Sequence, residues 1–200
     1  MAPTGTAAYQ GRTDLPPLVS TAVEAALAAG FAESCLPEQG ALLRVLAAGV
    51  GGGVIGETGT GCGVGLAWLA SGAAADARLY SVERDAELAK IAADVFADDP
   101  RVHVRTCDWR GLADAAPFDL LFLDGGGQGK RGQPPLDPAR WLRPGGIVVV
   151  DDFTPMSGWP PTHHGVPDHA RMYWLEHPRL RAAEIRVTPT AATIVATFVG

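Results

Sequence analysis

Residues 53–65, GVIGETGTGCGVG, predict a buried strand, a tight turn and the start of a helix. The apolar pair Val54-Ile55 is followed by glycines spaced as Gly59-x-Gly61-x-Gly63, and the chain then continues into LAWLA. Glycines suit such a turn because the backbone must adopt unusual angles and approach a ligand closely. A strand, a glycine turn and a helix N-terminus form the nucleotide-binding corner of a doubly wound sheet, although glycine turns also occur without ligands.

Glu57 narrows the choice of ligand for this corner. A carboxylate beside the turn would repel a pyrophosphate but would attract a ligand that carries ammonium and sulfonium charges. The spacing also departs from the dinucleotide pattern G-x-G-x-x-G, because Val64 stands three positions after Gly61. Both observations favour S-adenosylmethionine over NAD as the cofactor, and an NAD-dependent dehydrogenase is the last of the enzyme hypotheses.

The composition is that of an ordinary globular protein, and we expect residues 1–200 to form one domain. The chain is 47% hydrophobic and 19% charged, and its net charge is -6. This acidic balance gives no broad surface for nucleic acid or for an anionic membrane. The three cysteines lack metal-ligand spacing. Without a signal sequence or an apolar run of membrane-spanning length, a cytoplasmic location is predicted.

Strands alternate with helices along the chain, which predicts a parallel sheet with crossover connections. Residues 1–14 are expected to be a flexible arm, and residues 15–50 two helices that cover a sheet face or the ligand. Predicted strands follow at 54–55, 78–83, 102–106, 118–123, 147–150, 184–187 and 193–199. A short turn joins the last two, so they must be antiparallel. The fold class is α/β: a doubly wound, Rossmann-like, mostly parallel seven-stranded sheet with helices on both faces.

Acidic residues recur at the ends of the predicted strands, where open α/β sheets bind their ligands. They are Glu57, Glu83, Asp108, Asp124 and Asp151, with Asp152 beside the last. Glu83 follows Gly63 by about 20 residues, the offset at which an acid binds ribose hydroxyls. Asp108 is placed to accept a hydrogen bond from an adenine, and Trp109 to contact its ring. The alternatives are helix caps or loop charges for the acids and core packing for Trp109.

These motifs resemble the class I S-adenosylmethionine-dependent methyltransferases, and within them the catechol and caffeoyl-CoA O-methyltransferase family. The resemblance implies cofactor contacts by Glu57, Gly59, Thr60, Gly61, Gly63, Glu83, Arg84, Asp108, Trp109 and Asp124. It also implies a divalent metal such as Mg²⁺ on Asp124, Asp151 and Asp152, a homodimer, and a small hydroxylated, aromatic acceptor. Carboxylates are ligands that Mg²⁺ prefers, and a bound dication would lower the pKa of the acceptor hydroxyl.

The sequence departs from that family after Asp124, where a His and a catalytic Lys are expected. Here three glycines follow, and the nearest lysine is Lys130. Without a metal, the three aspartates would repel one another. The catalytic candidates are therefore Asp124, Lys130 and His163, the last with His164 and His169 as neighbours in sequence that could act as a base.

The leading hypothesis is an O-methyltransferase that transfers the methyl group by direct displacement to a small hydroxylated molecule. A tRNA-modifying methyltransferase of the same fold is an alternative that the acidic net charge disfavours. A protein that binds the cofactor for regulation, without catalysis, is the alternative that the missing His and Lys allow.

Overall fold

The computed structural model describes residues 4–200. Its strands are β1 (Val54–Thr58), β2 (Arg78–Glu83), β3 (Val102–Thr106), β4 (Phe118–Leu123), β5 (Leu142–Phe153), β6 (Thr162–His163), β7 (Val166–Pro167), β8 (Leu180–Arg186) and β9 (Ala192–Phe198). Its helices are α1 (Pro17–Ala28), α2 (Pro37–Gly49), α3 (Val64–Gly72), α4 (Ala86–Val95), α5 (Pro138–Trp141) and α6 (His169–Glu176), with 3-10 helices at Gly5–Tyr9 and Trp109–Ala115. None of these helices combines the length and apolar character needed to cross a bilayer.

Seven strands form one sheet in the order β3-β2-β1-β4-β5-β9-β8. Strands β1 to β5 pair in parallel, whereas β9 runs antiparallel to both β5 and β8. The chain builds outward from β1 to β3 and then returns to place β4 on the other side of β1. This reversal opens a crevice at the carboxyl ends of β1 and β4, where ligands bind in such sheets. The predicted fold class is confirmed.

Two apolar cores cover the two faces of the sheet, because successive residues of a strand point to opposite sides. Ile55 and Leu120 belong to the core that includes residues of α1, α2 and α3. Their neighbours Val54 and Leu121 belong to the core that includes residues of α5 and α6. The continuous apolar run of β4 follows from this burial on both faces.

The N-terminal segment is more ordered than the predicted arm over residues 1–14, of which residues 1–3 lie outside the described part. Tyr9 is buried at 3% exposure. Its hydroxyl donates to the carbonyl of Cys35 at 2.9 Å and accepts from Trp68 Nε1 at 2.9 Å. These bonds anchor the segment on α3 and on the loop before α2.

Several element boundaries differ from the prediction. Strand β5 covers Leu142–Phe153 rather than 147–150, and β8 begins at Leu180 rather than at 184. The β6-β7 hairpin was not predicted, because its strands are only two residues long and exposed. Before α2, Ser34 shares a hydrogen bond with Thr6 at 2.7 Å, and Leu36 is the residue that precedes the helix.

Candidate functional site

The glycine turn between β1 and α3 requires glycine at its three spaced positions. Gly59, Gly61 and Gly63 have φ angles of 82°, 51° and 90°, in the left-handed region that glycine enters without a steric penalty. Gly59 also lies against the loop after β4, since a Cβ on Gly125 would stand 2.4 Å from the Cα of Gly59. The turn and the loop are therefore in direct backbone contact at the crevice.

Glu57 is buried at 1% exposure at the end of β1. Its Oε2 accepts a hydrogen bond of 2.6 Å from the hydroxyl of Ser81, which shares a second bond of 2.6 Å with Thr60 Oγ1. Among residues 4–200 it has no ion pair. Burial raises its pKa to about 8, against the opposing effect of the Ser81 hydrogen bond. The site thus holds a carboxyl group that a cationic ligand would stabilise in its charged form.

Glu83 ends β2 and is tied to the glycine turn. Its Oε2 accepts from the amide of Gly61 at 3.0 Å, and its Oε1 accepts from the amide of Asp85 at 3.0 Å. Asp85 in turn caps α4 by accepting from the amides of Glu87 and Leu88. Arg84 is exposed beside it. The structure therefore places the predicted ribose-binding acid directly at the turn.

Asp108 and Trp109 follow β3 at the same edge. Asp108 is exposed and accepts from the amide of Arg110 at 3.1 Å and from its guanidinium at 2.9 Å, and these bonds lower the pKa of Asp108. The Trp109 ring packs on Gly126, where an added Cβ would lie 2.3 Å from the Cδ1 of that ring. Its Nε1 is buried without a partner among the described residues. Trp109 therefore combines a packing contact with an unused donor.

Asp124, Asp151 and Asp152 come together at the carboxyl ends of β4 and β5. Desolvation, followed by the charges of Asp151 and Asp152, raises the pKa of Asp124 well above its usual range. Desolvation and the charge of Asp152 raise the pKa of Asp151 to about 7. Within residues 4–200, however, no three His, Cys, Asp or Glu side chains are arranged to hold a metal ion. In the arrangement seen here, the three aspartates that the resemblance assigns to Mg²⁺ do not form a metal-binding group.

Lys130 lies among these aspartates. Its ammonium donates to the backbone carbonyl of Asp151 and, at 2.7 Å, to that of Asp152, and it lies 3.9 Å from the centre of the Phe153 ring. Burial lowers its pKa, and the charges of Asp152, Asp151, Asp168 and Asp124 oppose that effect. The ammonium is therefore held by main-chain carbonyls near the end of β5, beside the acidic residues.

Gln128 positions this lysine, and the sequence alone gave no sign of it. The buried amide of Gln128 donates to the carbonyls of Leu123 at 2.9 Å and Asp151 at 3.3 Å. The main-chain carbonyl of Gln128 accepts from Trp174 Nε1 at 2.8 Å. The glycine-rich loop is thereby fixed between β4, β5 and α6.

The three histidines considered as catalytic bases are on the surface. His163 and His164 belong to the β6-β7 hairpin, and their rings meet edge to face at 4.1 Å between centroids. His169 begins α6 and is also exposed. Their placement contrasts with that of Asp124 and Lys130, which lie at the crevice.

Comparisons with known proteins agree with this geometry. A methyltransferase-domain family model matches residues 57–153. A probable O-methyltransferase of Mycobacterium tuberculosis (strain H37Rv) is 35% identical over 129 residues, which cover 57% of this chain and 54% of the relative. A similarly named protein of Mycobacterium avium (strain 104) is 36% identical over 143 residues, covering 66% of this chain. The match spans 62% of that relative's length, less than two thirds.

Two solved structures share the fold across nearly the whole chain. The O-methyltransferase of Bacillus cereus, solved in complex with SAH, has a TM-score of 0.73 at 21% identity and covers 95% of this chain and 94% of its own. The O-methyltransferase TomG of Streptomyces achromogenes, solved with SAM, has a TM-score of 0.75 at 22% identity, with coverage of 96% and 94%. At these identities the likeness establishes the fold, which is the class predicted from the glycine turn.

Proposed function

We propose, from the methyltransferase domain that residues 57–153 form on a class I methyltransferase fold, that this protein is an S-adenosylmethionine-dependent O-methyltransferase. The observation that carries the proposal is the buried Glu57 carboxyl at the glycine turn. A buried carboxyl without a cationic partner gains most from a ligand that brings positive charge. S-adenosylmethionine carries an ammonium and a sulfonium, whereas NAD would bring a pyrophosphate to the same place.

The cofactor is proposed to lie along the carboxyl ends of β1, β2 and β3. Glu83 would bind the ribose hydroxyls, with Arg84 beside it, and Asp108 and Trp109 would contact the adenine. Gly59, Thr60, Gly61 and Gly63 would bring the main chain close to the cofactor. Asp124, at the start of the loop after β4, would lie toward its methionine end.

The acceptor is proposed to be a small hydroxylated molecule, with an aromatic ring as the first class to examine. Its hydroxyl would enter beside Asp124 and Lys130, and the methyl group would pass to it by direct displacement once the hydroxyl is aligned and deprotonated. Asp124 is favoured over His163 as the proton acceptor because His163 is exposed in the hairpin. No step of this proposal is routed through a metal.

Calorimetric titration of S-adenosylhomocysteine tests the cofactor assignment. Glu83→Ala should weaken binding by at least about tenfold, since a hydrogen bond to a charged group contributes about 1.5–3 kcal/mol. Glu24→Ala is the matched control, because Glu24 is exposed on α1. Unchanged affinity in Glu83→Ala would remove the ribose assignment, and no binding to the unmodified protein would refute the cofactor itself.

A cofactor-binding protein without catalysis is the second candidate. It is favoured by the loop after β4, where the glycines that replace the expected His and Lys serve backbone packing against Gly59 and Trp109. Turnover on a panel of phenols and catechols, measured as release of S-adenosylhomocysteine, would exclude it. Tight cofactor binding with no turnover on any acceptor would favour it.

A further inference from the structure

The acidic cluster at the ends of β4 and β5 already contains a cation that belongs to the chain. Lys130 donates to the main-chain carbonyls of Asp151 and Asp152. Its ammonium is also near enough to Asp152, Asp151 and Asp124 for their charges to act on it. An ammonium has three N–H donors, so one remains after these two bonds.

The loop that carries Lys130 is held in place rather than free to swing away. The side chain of Gln128 bridges the carbonyls of Leu123 and Asp151, and Trp174 of α6 donates to the main-chain carbonyl of Gln128. The Phe153 ring lies on another side of the ammonium. A divalent ion at this place would stand beside a fixed positive charge, and Lys130 already occupies two of the nearby carbonyl oxygens.

We propose that Lys130 is the resident cation of this site, in the place that the family resemblance gives to a divalent metal, and that methyl transfer by this protein therefore needs no divalent metal. The part of this proposal that concerns methyl transfer rests on the proposed function. Lys130 offsets part of the negative charge of Asp124, Asp151 and Asp152, and its remaining donor is available to the oxygen of an acceptor. In this role the ammonium stabilises the negative charge that the acceptor oxygen carries when its proton leaves.

Binding of Mn²⁺ to the full chain, followed by electron paramagnetic resonance, tests the charge-balancing role without any acceptor. The unmodified protein should bind no Mn²⁺ at concentrations up to about 1 mM, the range of weak protein sites for divalent ions. Lys130→Met keeps most of the side-chain length but removes the charge. This variant should bind one Mn²⁺ with a dissociation constant at least about tenfold below that 1 mM limit of the unmodified protein. Lys130→Arg should restore the exclusion of Mn²⁺.

Lys90→Met is the matched control, because Lys90 is the other lysine of the chain and forms an exposed pair with Asp94 on α4. It should behave like the unmodified protein. Stoichiometric Mn²⁺ binding by the unmodified protein, lost in Asp151→Asn, would overturn the proposal. So would the absence of Mn²⁺ binding in Lys130→Met, because the aspartates would then need no balancing cation. The measurement on the unmodified protein stands even if Lys130→Met does not fold.

Removal of divalent ions with EDTA tests whether methyl transfer needs a metal. Turnover on the phenol and catechol panel should be the same in EDTA as in Mg²⁺, and a requirement for Mg²⁺ would overturn the proposal. Failure of the proposed function has a different signature: S-adenosylhomocysteine would not bind, while the Mn²⁺ results would be unaffected.

Discussion

Glu57 lies in a position that lowers the stability of the free protein at alkaline pH. Its pKa is about 8 in the folded chain, mainly because of burial, against an ordinary value of 4.5. The folded state therefore holds this proton more tightly than the unfolded state. Stability from this group is fully present below about pH 4.5 and is lost as the pH rises through about 8, because the folded chain must then bury a charge.

Glu57→Gln should remove this pH dependence. Near pH 8.5 the variant should be more stable than the unmodified protein by a few kcal/mol, whereas near pH 5 the two should be similar, because Glu57 is then protonated. Urea unfolding at both pH values measures the difference. The same substitution should weaken binding of S-adenosylhomocysteine, since the ligand's ammonium loses an anionic partner.

Glu24→Gln is the control for the Glu57 experiment, because Glu24 is exposed on α1 and should show no difference between the two pH values. If Glu57→Gln were equally stable relative to the unmodified protein at both pH values, the carboxyl would not be held protonated by burial. A gain in stability together with unchanged ligand affinity would separate Glu57 from the cofactor.

At the scale of elements, one buried arginine joins α6, β8 and the long loop after β5. The Arg171 guanidinium donates to Asp168 at 3.1 Å, to Glu184 at 2.7 Å and to the carbonyl of Thr154 at 2.8 Å. Glu184 also accepts from the amide of Met156 at 2.8 Å. The loop is therefore fastened near both of its ends, which positions the β6-β7 hairpin relative to the crevice.

Arg171→Met should destabilise the fold by about 3–5 kcal/mol, because Asp168 and Glu184 would be left as partly or fully buried charges without their partner. Arg186→Met is the control, since Arg186 is exposed on β8. Urea unfolding compares the two. The double variant Arg171→Met/Glu184→Met should recover part of the loss, as it removes one unpaired charge. A loss no larger than that of the control would mean that the arginine does not fasten the loop.

The elements that were predicted correctly are those with a clear pattern of apolar and polar residues in the local sequence. The bounds of β2, β3 and β4 are as predicted, because each strand is an apolar or alternating segment that ends at a charged or turn residue. The edge strand β8 carries exposed charges on LRAAEIR, so its beginning at Leu180 gives little pattern to recognise. The β6-β7 hairpin depends on the fastening by Arg171, which is a tertiary contact.

In the candidate site, too, some residues are predictable from local sequence and others depend on tertiary contacts. The placement of Glu57 and Glu83 is fixed by strand ends and by the spacing to the glycines, and both are local features of the sequence. The position of Lys130 is not local, because it depends on Gln128, which bridges β4 and β5, and on Trp174 of α6. The sequence therefore places the three aspartates at the strand ends but does not locate the lysine beside them.

At the scale of the whole molecule, the sheet gathers its acidic strand ends at one edge. The reversal of strand order beside β1 brings Glu57, Glu83, Asp108 and Asp124 to the two sides of a single crevice. Of these, Glu57 and Asp124 have raised pKa values from burial. Such an edge favours an ammonium over a pyrophosphate, so the molecule as a whole should distinguish S-adenosylhomocysteine, which carries an ammonium, from NAD.

Ligand-induced stabilisation measures this discrimination on the intact protein. A ligand that binds only the folded state at about 100 times its dissociation constant stabilises that state by about 2.7 kcal/mol. For a chain of this size, S-adenosylhomocysteine should then raise the unfolding temperature by about 5–10 °C in a thermal melt. NAD at the same concentration should leave it unchanged, because its pyrophosphate would face Glu57 and Glu83, and Glu83→Ala should reduce the shift with S-adenosylhomocysteine. A comparable shift with NAD would show that the carboxylates of this edge do not select the ligand, and the glycine turn would then have to be assigned to a dinucleotide.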